Sequence, residues 1–95
     1  MIKISIKEDE ILIKGHAMFD DFGKDIVCAS VSSIAITTIN AIVEFDNTSI
    51  DVRENDGYLK IDILKHDKNV DILISNMIKL FEELEMKYPN NIKIN

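Results

Sequence analysis

Ile2, Ile4 and Ile6 alternate with Lys3, Ser5 and Lys7, a period of two that predicts a strand with one buried face. Glu8-Asp9-Glu10 is a polar break of hairpin length, and Ile11 and Ile13 set the phase of a second strand that runs to about Ala17. Gly15 weakens that strand locally and lets another group approach its backbone. Met18 to Lys24, with Asp20, Asp21 and Gly23, reads as a loop.

From Asp25 to about Phe45 the rhythm changes. Ser30, Ser33, Thr37, Asn40 and Glu44 recur at helical spacing and mark one polar stripe on an α-helix. The β-branched residues of this segment would suit a strand, but its length and period outweigh local propensity. Asp25 is a good N-cap, because its carboxylate can accept from unpaired backbone N–H groups. Asp46-Asn47-Thr48 breaks the helix. Ile50 and Val52 then alternate with Asp51 and Arg53, Asn55-Asp56-Gly57 makes a hairpin turn, and Leu59, Ile61 and Ile63 carry the returning strand. A second helix is predicted from about Asn69 to Lys87. Its apolar stripe is Val70, Leu73, Met77, Leu80 with Phe81, and Leu84, and Pro89 prevents its continuation. Ile92 and Ile94 suit a short last strand. The order β-β-α-β-β-α-β predicts an α+β two-layer sandwich, its sheet mainly antiparallel and both helices on one face.

Ninety-five residues suit a single domain spanning 1–95. The alternating N-terminal segment lacks the continuous apolar block of a secretory signal, and no apolar stretch approaches bilayer length. With one cysteine, which cannot form an internal disulfide, the chain is expected to be soluble and cytoplasmic. The net charge of −6 argues against direct nucleic-acid binding, which depends on cations neutralising phosphates. It weakly favours a basic protein or peptide as partner.

The candidate chemistry lies around that one cysteine. With Asp25 as N-cap, Cys28 is the third residue of the first helix, where N–H groups lack intrahelical partners and the macrodipole is positive. Both effects favour thiolate, the nucleophilic form, and the same N–H groups suit an oxyanion. His16, twelve positions earlier at the end of a strand, can reach back over the helix start and complete a Cys-His pair. The competing reading makes Cys28 a small buried hydrophobe. Ser32, one turn after Cys28, either bonds back to the Cys28 carbonyl or supports the thiolate. His66, among Lys65, Asp67 and Lys68, reads as an exposed loop residue without a role. A metal site from His16, Cys28 and Asp20 or Asp21 lacks a second soft ligand, so no metal or cofactor is expected.

Gly15-His16-Ala17, the short loop ending in Gly23, and Asp25-Ile26-Val27-Cys28-Ala29-Ser30-Val31-Ser32 together resemble the signature of the ribosomal-processing cysteine protease family, Prp. Overall length and the ββαββα plan with a short final strand are compatible with it. The resemblance implies a cysteine endopeptidase that removes the N-terminal extension of large-ribosomal-subunit protein twenty-seven and works as a homodimer. On the matching positions, Cys28 is the nucleophile and His16 the proton donor and acceptor. Asp25 and Ser32 take supporting positions and Gly15 that of a hinge. Met18, Phe19, Asp20, Asp21, Phe22 and Gly23 form the loop that admits substrate. The alternatives are a non-catalytic, dimeric ribosome-associated binding module with a structural cysteine, and a redox sensor that needs a resolving thiol from another chain.

Overall fold

The structure, a computed structural model, describes residues 1–15 and 26–95. The strands are β1 (Ile2–Ile6), β2 (Glu10–Lys14), β3 (Ile50–Asn55), β4 (Tyr58–Ile63) and β5 (Ile92–Ile94); the helices are α1 (Ile26–Phe45) and α2 (Lys68–Lys87). The β-β-α-β-β-α-β order is as the sequence pattern predicts. The five strands form one sheet in the order β3-β4-β2-β1-β5. All pairings are antiparallel except β1 with β5, which is parallel.

Register follows from the alternation. Ile4 faces Ile13 across β1–β2, Ile11 faces Ile61 across β2–β4, and Ile2 faces Ile92 across β1–β5. Every isoleucine of this set is buried, so one face of the sheet is apolar throughout and a one-residue slip in any strand would turn it to water. The opposite face carries Lys3, Lys14, Lys60 and Asp62, with Lys60 placed between Glu10 and Asp62 at 3.6 and 3.7 Å.

Both helices cover the apolar face. Val27, Cys28, Val31, Ala35, Thr38 and Ile42 form the buried stripe of α1, while Ser33, Thr37, Asn40 and Glu44 stay exposed. In α2 the buried stripe is Val70, Ile74, Met77 and Phe81. It keeps Val70, Met77 and Phe81 of the predicted stripe and adds Ile74, while Leu73, Leu80 and Leu84 are half-buried flank residues. Helix α2 begins one residue earlier than expected. Asp67 is its N-cap, accepting from the Asn69 N–H at 2.8 Å, and this local bond satisfies a first-turn donor.

The expectation that no apolar stretch approaches bilayer length is corrected by α1, which is long and apolar enough to cross a membrane by length and composition. Its polar stripe is built from Ser, Thr and Asn with Glu44 as the one charge. A third of the stretch is buried within the fold, where its inner stripe forms the core.

His66 is exposed, as expected, but held. Its Nε2 meets Asp9 of the β1–β2 turn at 2.5 Å and its Nδ1 meets Asp71 of α2 at 2.9 Å. The hydrogen bonds to Asp9 and then Asp71 raise its pKa above the ordinary 6.5. A raised folded pKa means this clasp contributes fully below pH 6.5 and is lost as pH rises through the folded value. Thermal melts over that range should therefore fall slightly more for the wild type than for His66→Asn. Equal slopes would show that the clasp adds nothing, which is the ordinary fate of an exposed pair.

Candidate active site

Cys28 is the third residue of α1 and lies on its buried face, 4% exposed. Ile26 and Ala29 on the same turn face outward. The sulfur therefore points into the layer between helix and sheet, opposite the polar stripe. Ser32 follows one turn later and is half-buried. On the same helix Ser30 donates its hydroxyl to Ile26 O at 2.8 Å, and Thr38 donates to Ile34 O in the same manner. Both bonds satisfy hydroxyls on an otherwise apolar helix.

Gly15 stands at the end of β2, the central strand. Its φ is +87°, and its N–H donates to the Gly57 carbonyl at 2.8 Å. A Cβ added there would lie 2.5 Å from the Met1 carbonyl oxygen. Any side chain would thus meet backbone that cannot move cheaply, and the close approach predicted for this glycine is that of the first strand's own start. His16, Asp25 and the loop of Met18, Phe19, Asp20, Asp21, Phe22 and Gly23 lie outside the described residues.

Several cavities on the described surface are lined by other side chains. One of about 500 Å³ is lined by Ile26, Ala29, Ser30, Ser33, Ile34 and Leu84, on the flank of α1 turned away from the sulfur. A larger one of about 670 Å³ follows the outer face of α2 and includes His66, Asp71, Ser75 and Lys79. Among the described residues no group of three or more His, Cys, Asp or Glu side chains is placed to hold a metal ion.

The family described as Cysteine protease Prp matches residues 1–93. The chain belongs to that family. Its reaction class is therefore that of a cysteine protease. Similar proteins include the ribosomal processing cysteine protease Prp of Mycoplasma genitalium, 33% identical over the whole chain and 95% of that protein. The Prp of Staphylococcus aureus is 28% identical over 94% of this chain and 87% of its own length. Among solved structures, an essential Prp from S. aureus in complex with a substrate peptide superimposes with a TM-score of 0.84 at 22% identity, covering 99% of this chain and 95% of that one. The same protein with a covalently linked product peptide gives 0.83 at 24% identity and the same coverage. Prp structures thus share the mixed five-stranded sheet and helix pair found here.

Proposed function

We propose that the chain removes an N-terminal extension from a ribosomal protein, large-subunit protein twenty-seven, with Cys28 as nucleophile and His16 as its base and acid. The observation that carries this reading is the placement of the chain's one cysteine. A cysteine protease needs a thiol, and the sole candidate in 95 residues stands on the first turn of a helix. The curated relatives are named ribosomal processing proteases, which supports a ribosomal precursor as substrate. A lone cysteine also fits work in the reducing cytoplasm.

In this mechanism His16 takes the proton of Cys28 Sγ, and the thiolate attacks the scissile carbonyl carbon. The carbonyl electron pair moves to oxygen, and N–H groups of the first helical turn hold the resulting oxyanion. His16 then gives its proton to the leaving amine as the carbon–nitrogen bond breaks, leaving a thioester. Water, deprotonated by His16, attacks that thioester and expels the thiolate, releasing the new carboxyl terminus. The helix start favours the anionic forms of both sulfur and oxygen, so one structural feature serves both steps.

The test is incubation of the chain with the precursor ribosomal protein from the same genome, followed by mass measurement of the product. Loss of a short N-terminal peptide at a single junction is expected. An intact precursor, alongside an active S. aureus Prp control, would refute the substrate assignment.

The homodimer is part of the same proposal. Helix α1 exposes Ile26, Ile36 and Val43 along one outer flank, at 64, 42 and 43% exposure, beside Ala29 and Asn40. An apolar stripe of this kind is costly to leave in water. Sedimentation should give twice the chain mass for the wild type and the single-chain mass for Ile36→Lys. A monomeric wild type would exclude the dimer.

A further inference from the structure

We propose that the open face of the sheet binds a single strand of RNA, with Lys93, Lys3 and Lys14 on its phosphates and Tyr58 as the platform for an unpaired base. Across the sheet these residues are consecutive. Lys93 of β5 is in register with Lys3 of β1, Lys3 with Lys14 of β2, Lys14 with Tyr58 of β4, and Tyr58 with Asn55 of β3. Their neighbours along the strands, Ile2, Ile4, Ile13, Leu59 and Ile92, are buried under the helices, so alternation turns the row to the helix-free side. The three lysines are exposed and Tyr58 is half-buried.

The net charge of −6 conceals this row, because charge on the open face is sorted along the strands. Toward one end Lys60 lies between Glu10 and Asp62, and Arg53 lies 3.6 Å from Asp51, so cations and carboxylates offset one another. Toward the other end, no carboxylate among the described residues comes within ion-pair distance of Lys93, Lys3 or Lys14. Like charges directly opposite on neighbouring strands destabilise a sheet. Lysine on an edge strand guards against sheet-to-sheet pairing, which accounts for Lys93. Lys3 and Lys14 stand on inner strands, paired on both sides, and that role is closed to them. A polyanion laid across the strands offsets the repulsion, since strands about 4.8 Å apart bring successive lysines to one backbone. An acidic peptide would satisfy the lysines equally but leave the Tyr58 ring unused, whereas a base stacks on it. Ser5 in the next row and Asn55 beyond Tyr58 add neutral hydrogen-bonding groups of the kind a ribose 2′-hydroxyl meets. The proposal is independent of the peptidase assignment.

The experiment follows the fluorescence anisotropy of a labelled oligouridylate of about 10 nucleotides, a length within the range such faces cover, against the full chain. Binding should weaken about 20-fold between roughly 50 and 200 mM salt, the log–log slope of about −2 expected when about three phosphates are neutralised. Lys3→Gln, Lys14→Gln and Lys93→Gln together should abolish binding and leave the melting temperature at or above that of wild type, because the repulsion goes with them. Tyr58→Ser should weaken binding about 5-fold or more with the salt slope unchanged. Lys68→Gln with Lys79→Gln, both exposed on α2 in the other layer, is the control and should bind as wild type. Absence of binding at about 50 mM salt, or binding that survives the triple substitution, overturns the proposal. A glutamate oligomer that binds as tightly as the RNA, with Tyr58→Ser without effect, assigns the face to an acidic peptide and overturns it too. A deoxyuridylate of the same length should bind less tightly, and equal binding overturns the choice of RNA.

Discussion

Cys28→Ala is expected to end peptide cleavage, with a fall in kcat on the order of 10⁴-fold or more, the scale seen when a nucleophile is removed from a hydrolase that acts as a unit. The loss should not come from unfolding. Cys28 is buried in the helix–sheet layer, and trading a sulfur for a hydrogen removes one heavy atom from that layer, a change of about 1 kcal/mol by the cavity argument. Circular dichroism and the melting curve of the variant should therefore stay close to wild type while product formation disappears. His16→Ala tests the other half of the dyad, and full cleavage by either variant would remove that residue from it. A second measurement separates chemistry from packing. If the helix start holds the sulfur as a thiolate, iodoacetamide should modify the native chain below the pH an ordinary thiol requires. A purely structural cysteine at 4% exposure would react only when the chain unfolds.

Most of the fold was legible because period and punctuation agree. Strands β1, β2 and β4 each place isoleucine at alternate positions, β3 does the same with Ile50 and Val52, and the Asp56-Gly57 turn leaves Asn55 directly opposite Tyr58. The pairing of β2 with β4, which joins the two ββα halves into one sheet, has no local signal. It is settled by which apolar faces meet after both hairpins have formed. The parallel seat of β5 beside β1 is likewise tertiary. Its C-terminal end is tied by Asn95 donating to Ile4 O and by Ile94 donating to Glu85 of α2. In α2 the stripe through Leu73, Leu80 and Leu84 and the stripe through Ile74 and Phe81 are one residue apart. Composition along the helix cannot rank them, and contact with α1 and the sheet does.

The site was legible to a different degree. The position of Cys28 on the helix and the side it faces follow from the polar stripe and the break before Ile26. The constraint on Gly15 was half-visible. A glycine within an alternating strand signals close approach, but the approaching group, Met1 O, and the bond to Gly57 belong to strands that meet it only after folding. His66 was passed over because its partners Asp9 and Asp71 are distant and near in sequence respectively, and neither spacing forms a recognised motif.

Gly15→Ala should be among the most destabilising small substitutions in this chain. A left-handed φ costs a residue with a Cβ about 1–2 kcal/mol, and here the new methyl also meets the Met1 carbonyl oxygen at 2.5 Å. That neighbour is backbone at the start of β1, where Ile2 is buried and its N–H donates to Asn91 O. It can yield only by loosening the β1–β5 edge or by letting Gly15 lose its bond to Gly57. For a domain of this size the φ cost alone lowers Tm by about 4–16 °C, and the clash adds to it. Lys14→Ala, one residue away on the exposed side of the strand, serves as the control and should stay within about 0.5 kcal/mol of wild type. Replacing Gly15 with D-alanine by chemical synthesis removes both causes at once, since the inverted centre accepts positive φ and its methyl takes the place of the other Gly15 hydrogen. Recovery of most of the lost Tm by the D-residue, with cleavage restored, is the expected result. An L-alanine variant that melts with the wild type would mean that the chain leaves β2 by another path.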